Sequence, residues 1–334
     1  MQRGTEAHIR VSPAPPDATL SPTGGYIAVF GDLHLDVRGR APLQPPLRDS
    51  LFSVPHGRDH ALAVPLGVEL GGSALTFATT LATRSEFKPF VFGSVSSGLG
   101  GQLITDAMAS LGLESSLQGS ERDQSVVVSI NDTDGRRLML RPTGSPNDDL
   151  GWAAVDQGLQ QLALSQAGVA AVFISGYCFV DPRSERAATV RRALQWARQS
   201  GILTILDLVP HDFLRSVGAL KDIHRTIGRV DVLVAELSTG LELLHMPSPV
   251  DNVSDTSLTL VAQRLAPYSS TAAIVQHRRS ATRYAQAMSI NDGTPCSVED
   301  FEISIGPVPT GFGDRMLAGR LSQLLAVPRI ESGG

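Results

Sequence analysis

Near its end the chain reads Pro309-Thr310-Gly311-Phe312-Gly313-Asp314-Arg315-Met316-Leu317-Ala318-Gly319. Leucines then recur at near-helical spacing, at Leu317, Leu321, Leu324 and Leu325. Glycines allow the backbone to approach a ligand closely, and the free N–H groups of a first helical turn can bind an anion. An acid at this point either caps the helix or takes the proton from an attacking hydroxyl beside a bound phosphate. The stretch therefore indicates either a capped turn or a phosphoryl-transfer loop with Asp314 as its base.

The composition is that of an enzyme-sized globular chain. Its 334 residues are 42% hydrophobic and 18% charged, with a net charge of −5 and no basic tract, so we expect no nucleic-acid partner. No apolar run is long enough to cross a membrane. Cys178 and Cys296, the two cysteines, are too few for a disulfide framework and suggest free thiols in the cytoplasm. Residues 1–25 are rich in proline and glycine and are expected to form a flexible leader before one α/β domain over 26–334.

Strand and helix patterns alternate through most of the chain. Strands are predicted at 26–30, 90–92, 170–174, 202–206, 230–234 and 272–275, helices at 71–82, 100–111, 185–199 and 257–265, and a hairpin at 126–130 and 138–140. Such alternation predicts a mostly parallel sheet with helices on both faces. Ligands bind such sheets at the carboxyl ends of the strands, where we expect Asp36, Asp207, Glu236 and the 311–314 loop.

Four further motifs occur in a distinctive order. Gly31-Asp32-Leu33-His34-Leu35-Asp36 follows the first strand, Gly71-Gly72-Ser73-Ala74-Leu75-Thr76 opens a helix, Arg141-Pro142-Thr143-Gly144 follows the hairpin, and Ala318-Gly319 follows Gly311-Phe312-Gly313-Asp314. Together they resemble the ribokinase-like, or pfkB, family of carbohydrate and nucleoside kinases over about residues 26 to 325. The resemblance implies a three-layer α/β sandwich with a small β lid, to which 37–66 and about 120–142 would contribute.

The same resemblance implies roles for individual residues. Asp36 would bind sugar hydroxyls, and Gly71, Gly72 and Thr76 would lie at the substrate. The amides of Gly311, Phe312 and Gly313 would form an anion hole, with Asp314 as the base. The cofactors implied are ATP and Mg²⁺, and the partner is a small sugar or nucleoside.

On the nucleotide side the sequence departs from the family pattern. Where the family has Asn-x-x-Glu the chain has Glu236 and Thr239, and His277 replaces an expected glycine. Val308-Pro309 stand where the family has Asp-Thr. The resemblance implies that Glu236, Thr239 and His277 would still face the nucleotide, and Glu236 could contact the metal through water or be a plain strand-end acid.

The sequence leaves two functions open. The first is an ATP-dependent kinase that phosphorylates a hydroxyl of a sugar or nucleoside. The second is a catalytically impaired kinase-like protein that binds a sugar or nucleotide as a sensor or partner subunit. A homodimer formed through the lid is a further hypothesis, in which the second copy completes the nucleotide site.

Overall fold

The computed structural model describes residues 24–40, 67–131, 137–142, 144–209, 225, 227–247, 253–280, 283–291, 294–302, 313, 317–318, 321 and 325. The strands are β1 (Tyr26–Phe30), β2 (His34–Arg40), β3 (Gly67–Gly71), β4 (Lys88–Ser96), β5 (Glu114–Ser120), β6 (Val126–Asn131), β7 (Arg137–Leu140), β8 (Val169–Ser175), β9 (Leu203–Leu208), β10 (Val232–Glu236), β11 (Ala272–Arg278), β12 (Arg283–Ile290) and β13 (Ser297–Glu302). The helices are α1 (Ser73–Arg84), α2 (Leu99–Ser110), α3 (Trp152–Leu164), α4 (Glu185–Gln199), α5 (Leu237–Leu243) and α6 (Asp255–Leu265). Short 3₁₀ helices span Pro146–Asp149, Gly176–Phe179 and Ala266–Tyr268.

Within these residues, nine strands form one main sheet in the order β13-β12-β11-β10-β9-β8-β1-β4-β5. The pairs from β11 through β5 are parallel, and β12 and β13 extend the sheet by antiparallel pairing. Along the chain, strands are first added on one side of β1, as β4 and then β5. Later strands are added on the other side of β1, beginning with β8. The order therefore reverses between β1 and β8, where open α/β sheets form a ligand crevice at the carboxyl ends.

Four strands form a second, smaller sheet, which we call the lid sheet: β3-β2-β6-β7. Strands β2 and β6 pair in parallel, while β2–β3 and β6–β7 are antiparallel. Since β2 starts four residues after the end of β1, the lid sheet is attached at the carboxyl end of the main sheet.

The core lies on both faces of the main sheet. Because side chains alternate along a strand, Ile27 and Val29 of β1 pack with α1 and α2, whereas Ala28 and Phe30 pack with α3 to α6. Leu317, Ala318 and Leu321 join the first of these layers. The predicted three-layer architecture with a small β lid is confirmed.

Most predicted elements lie within a few residues of the observed ones, but several were not predicted. These are β2, β3, β5, β12, β13, α3 and α5. β5 and β13 are polar strands at the two edges of the sheet, so they lack the apolar run by which the buried strands were found. The predicted leader, apart from residues 24 and 25, and residues 41–66 of the predicted lid excursion lie outside the described part of the chain.

No helix among the described residues combines the length and the apolar character that a membrane crossing requires.

Candidate active site

A buried carboxylate marks the crevice between β1 and β8. The Oδ1 atom of Asp32 lies 2.6 Å from Nη1 of Arg186, and its Oδ2 atom lies 3.2 Å from Nη2 of Arg141. Arg186, which belongs to α4, also donates to the Tyr177 carbonyl at 2.7 Å and lies 3.3 Å from an oxygen of Asp148. Two arginines from distant parts of the chain thus meet one acid where the strand order reverses.

The electrostatics of Asp32 favour the charged carboxylate. Burial by itself would raise the pKa of Asp32, but the charges of Arg186, His34 and Arg141 outweigh it, and the pKa lies below its usual value. Sequence reasoning missed both arginines as site residues. Arg186 has no local signal, since it lies in an ordinary helical pattern, and Arg141 was noted only as part of the segment after the hairpin.

Asp36 lies within β2, inside the lid sheet, and not at the carboxyl end of a main-sheet strand as expected. Its carboxylate accepts from Nε2 of His34 at 2.9 Å and from Nη2 of Arg38 at 2.6 Å, and Arg38 also pairs with Glu69. Burial raises the pKa of Asp36, yet the bonds to His34 and Arg38 prevail and hold it below its usual range. An ionised carboxylate has about four acceptor sites, so Asp36 keeps capacity for a further hydrogen bond.

The two glycines of the substrate-side motif lie against these acids. A Cβ atom on Gly71 would come within 2.5 Å of the Asp36 carboxyl carbon, and one on Gly72 within 2.0 Å of the Asp32 carbonyl oxygen. Gly72 also has φ of +102°, which L side chains rarely adopt. Thr76 lies in the first turn of α1, where its N–H donates to the Gly72 carbonyl at 3.0 Å. The structure thus brings Asp36, Gly71 and Gly72 together, with Thr76 one helical turn away.

Two carboxyl groups lie at the carboxyl ends of neighbouring strands on the other side of the crevice. Asp207 is near the end of β9, and Glu236 is the last residue of β10. Burial, reinforced by the nearby Glu236 charge, raises the pKa of Asp207 to about 7. The pair is therefore an oxygen-rich site that would be stabilised by a cation.

Thr239 lies in α5, directly after this strand end. The residue is 1% exposed, and its hydroxyl has no hydrogen-bond partner among the described residues. A buried hydroxyl without a partner is destabilising. It stands where the family motif has a carboxylate.

Gly313 is the one residue of the predicted anion hole within the described part of the chain. Its carbonyl accepts a hydrogen bond of 3.4 Å from Nε2 of the buried Gln276, which pairs with Glu236 in the β10–β11 register. His277 follows Gln276 in β11, and burial and the Arg279 charge lower its pKa. Gly311, Phe312 and Asp314 lie outside the described residues.

Comparison with solved structures identifies the architecture. The 2-dehydro-3-deoxygluconokinase of Thermotoga maritima superposes with a TM-score of 0.67 at 16% identity, covering 90% of this chain and 87% of that one. The ribokinase of Giardia lamblia gives 0.65 at 14%, covering 90% and 83%. The adenosine kinase of Anopheles gambiae, solved with a bis-adenosine tetraphosphate, gives 0.65 at 15%, covering 90% of each chain.

The protein has the ribokinase-like fold. No protein-family model and no curated protein sequence matches the chain. The ribokinase-like fold accounts for the lid sheet and for the position of the crevice, whereas identities of this size leave the chemistry to the residues themselves.

The ribokinase-like fold implies Mg²⁺ together with a nucleotide. Mg²⁺ prefers oxygen ligands and is usually bound through one or two carboxylates and the substrate phosphates. The described residues contain no group of three or more His, Cys, Asp or Glu able to hold a metal alone. Asp207 and Glu236 nevertheless supply two carboxyl groups at one strand-end edge, close enough for the Glu236 charge to raise the pKa of Asp207. The donor set fits the ion.

Proposed function

We propose that the protein is an ATP-dependent kinase that transfers the γ-phosphoryl group to a hydroxyl of a small sugar or nucleoside. The observation that carries this proposal is the hydrogen bond from Gln276 to Gly313. Through it, Gly313 meets β11 near the carboxyl end of that strand, next to the strand that ends in Glu236. A glycine backbone for phosphate and carboxylates for its counter-ion are what phosphoryl transfer requires at one edge of a sheet.

The chain's own residues would perform the reaction as follows. Asp36 accepts hydrogen bonds from substrate hydroxyls, and the absence of a side chain on Gly71 leaves room for the Asp36 carboxylate itself. The carboxylate of Asp314 takes the proton of the attacking hydroxyl as its oxygen bonds to phosphorus. The amides of Gly311, Phe312 and Gly313 donate to the phosphoryl oxygens as the bond to the leaving nucleotide oxygen breaks.

Asp207 and Glu236 would hold Mg²⁺ on the nucleotide side. When bound, the ion neutralises phosphate charge during transfer. Thr239 and His277 line the same side in this proposal, Thr239 by offering its unpaired hydroxyl. We further propose that the kinase works in the cytoplasm, consistent with the fully buried thiol of Cys178.

The substitution Asp314→Asn tests the proposal. It removes the base and keeps the side chain's shape, so turnover should fall by about 10²- to 10⁴-fold while substrate binding is retained. A panel of sugars and nucleosides, with and without Mg·ATP, identifies a binder by thermal shift, because a ligand of the folded state raises its stability. Turnover is then measured with that binder. Asp106→Asn, an exposed acid in α2, is the matched control. Normal turnover by Asp314→Asn would refute its role as base.

The alternative, a binding protein without kinase activity, is favoured by one observation. Thr239 presents a buried hydroxyl where the family has a metal-organising carboxylate. This alternative predicts a sugar or nucleoside that stabilises the protein, and ATP that shows no Mg²⁺-dependent binding by calorimetry. Micromolar ATP binding that requires Mg²⁺ would count against it.

A further inference from the structure

All connections between the lid sheet and the main body, in the described part of the chain, meet at two residues. Four segments connect the lid sheet to the main body: 31–33 before β2, Gly72 after β3, 121–125 before β6, and the residues after β7. Each of the last three contacts Asp32 or Leu33, which belong to the first. We call Asp32, Leu33 and these contacts the hinge cluster.

The Leu33 backbone is bound on both sides by amide side chains. Its N–H donates to Oδ1 of Asn147 at 2.9 Å, and its carbonyl accepts from Nδ2 of Asn147 at 3.0 Å. Nε2 of Gln124 donates to the same carbonyl at 3.1 Å, while Oε1 of Gln124 accepts from the Ser96 amide in β4. The β5–β6 and β7–α3 connections are therefore both bonded to the start of β2.

Asp32 carries the charged part of the hinge cluster. Arg186 fixes one carboxylate oxygen from the body, and Arg141, the residue directly after β7, binds the other from the lid side. The guanidinium of Arg141 also lies over the Tyr177 ring, 4.5 Å from its centroid. Arg186 is 7% exposed in its side chain, but Arg141 is 34% exposed. Water can therefore reach the Arg141 side chain, whereas the Arg186 side chain is shielded from it.

We propose that Asp32 and Arg141 are positioning residues that set the lid sheet against the main sheet and thereby aim Asp36 at the crevice. Asp36 lies on β2, four residues after Asp32, and among the described residues the ion pairs of β2 itself all stay within the lid sheet. The Asp32 carboxylate forms one ion pair with Arg186 of the body and one with Arg141 of the lid side. The attachment of the lid sheet therefore depends on whether the Arg141 ion pair is formed. This role rests on the proposed function in one respect, which is that Asp36 binds the substrate.

Hydrogen exchange of the protein without any ligand tests the attachment. Arg141→Ala removes an ion pair and a cation–π contact at a partly exposed site, so amides of β2 and β6 should exchange about five- to thirtyfold faster. Amides of β9 and β10 should keep the wild-type rates. Arg192→Ala is the matched control, because Arg192 is an exposed arginine over the Trp152 ring, 4.3 Å from its centroid, in the body. Arg141→Lys retains the charge but loses the planar stack, and should exchange at intermediate rates.

Any one of three results would overturn the attachment. Lid amides of Arg141→Ala could exchange within twofold of the wild-type rate, amides of the body strands could show an equal rise in exchange rate, or Arg192→Ala could show an equal rise in the lid. Asp32→Asn is a poorer first variant, because it leaves the buried Arg186 without its charged partner and endangers folding. In the double variant Asp32→Asn/Arg141→Ala the loss of the ion pair should not count twice, so exchange should exceed that of Asp32→Asn only by the effect of losing the Tyr177 contact.

Steady-state kinetics test the positioning of the substrate. With a substrate identified by thermal shift, Arg141→Ala should raise KM about tenfold and change kcat less than about twofold, since Asp36 is misaimed and the transfer machinery is untouched. Faster lid exchange with an unchanged KM would overturn the positioning role. Exchange in the free protein is independent of kinase activity. A protein that binds no sugar or nucleoside would refute the proposed function while leaving the exchange result in place.

Discussion

Asp207 shows how a single carboxyl group can set the pH dependence of stability. Its pKa in the folded protein is about 7, raised by burial and by Glu236, against 3.8 ordinarily. An acid whose folded pKa is raised contributes stability that is fully present below the unfolded pKa and is lost as the pH rises through the folded one. The free energy of unfolding should therefore fall by a few kcal/mol, as an order of magnitude, between about pH 4 and pH 8. Asp207→Asn should flatten this fall, as measured by urea unfolding at pH 5 and pH 8.

Two further variants test whether Asp207 causes this pH dependence. Glu236→Gln removes the neighbouring charge and should flatten the fall in part, whereas Asp106→Asn, on the exposed surface of α2, should leave it as in the wild type. A wild-type slope in Asp207→Asn would show that this carboxyl group is ionised throughout the range.

Gly72 is constrained both by its backbone and by its neighbours. Its φ is +102°, and a Cβ atom would lie 2.0 Å from the carbonyl oxygen of Asp32. Gly72→Ala should lower the free energy of unfolding by about 2 to 5 kcal/mol, because strain and overlap add. Gly112 also has a positive φ, +66°, but a Cβ atom there meets nothing within 4 Å, so Gly112→Ala should lose only about 1 kcal/mol. Equal losses in thermal or urea unfolding would mean that the contact with Asp32 does not matter.

At the scale of elements, the lid sheet has two different faces. The pairing register places Val68, Val37, Val128 and Leu140 in one row across its four strands. Val68 is 37% and Leu140 45% exposed, and Val126 on the same face is also exposed. The opposite face carries Asp36, Arg38 and Glu69. The sheet thus directs its charged side chains away from an apolar, partly exposed surface.

That apolar surface is where we expect a second copy of the chain to bind. Sedimentation equilibrium at micromolar concentration should show a dimer, and Val68→Asp should convert it to a monomer by burying an unpaired charge. Leu164→Asp, at the end of α3, alters an even more exposed apolar residue outside the lid and should leave the dimer intact. A monomeric wild type would rule out dimerisation through the lid.

At the scale of the molecule, the main sheet was predictable because its strands are buried on both faces. Phe90-Val91-Phe92 and residues 170–174 are continuous apolar runs, and such runs can be recognised as buried strands without knowing which strands they pair with. The polar edge strands β5 and β13 hold their place through pairing with β4 and β12, which a local pattern does not contain. The sequence could propose Asp36, Gly71 and Gly72 as site residues because each motif has its residues close together in the chain. Arg186 could not be proposed in this way, since it lies 154 residues from its partner Asp32.

The sequence by itself determined the alternation of strands and helices, the parallel sheet and the candidate phosphoryl-transfer loop at Gly311-Phe312-Gly313-Asp314. These depend on periodicity and on residue types a few positions apart, which local chain geometry translates directly into structure. Only the tertiary structure decided that Asp36 belongs to a lid sheet, that Asp207 and Glu236 share one edge, and that Asp32 binds one arginine from the body and one from the lid. Those contacts arise from folding distant segments together, and their energies depend on burial, which has no counterpart in the linear pattern.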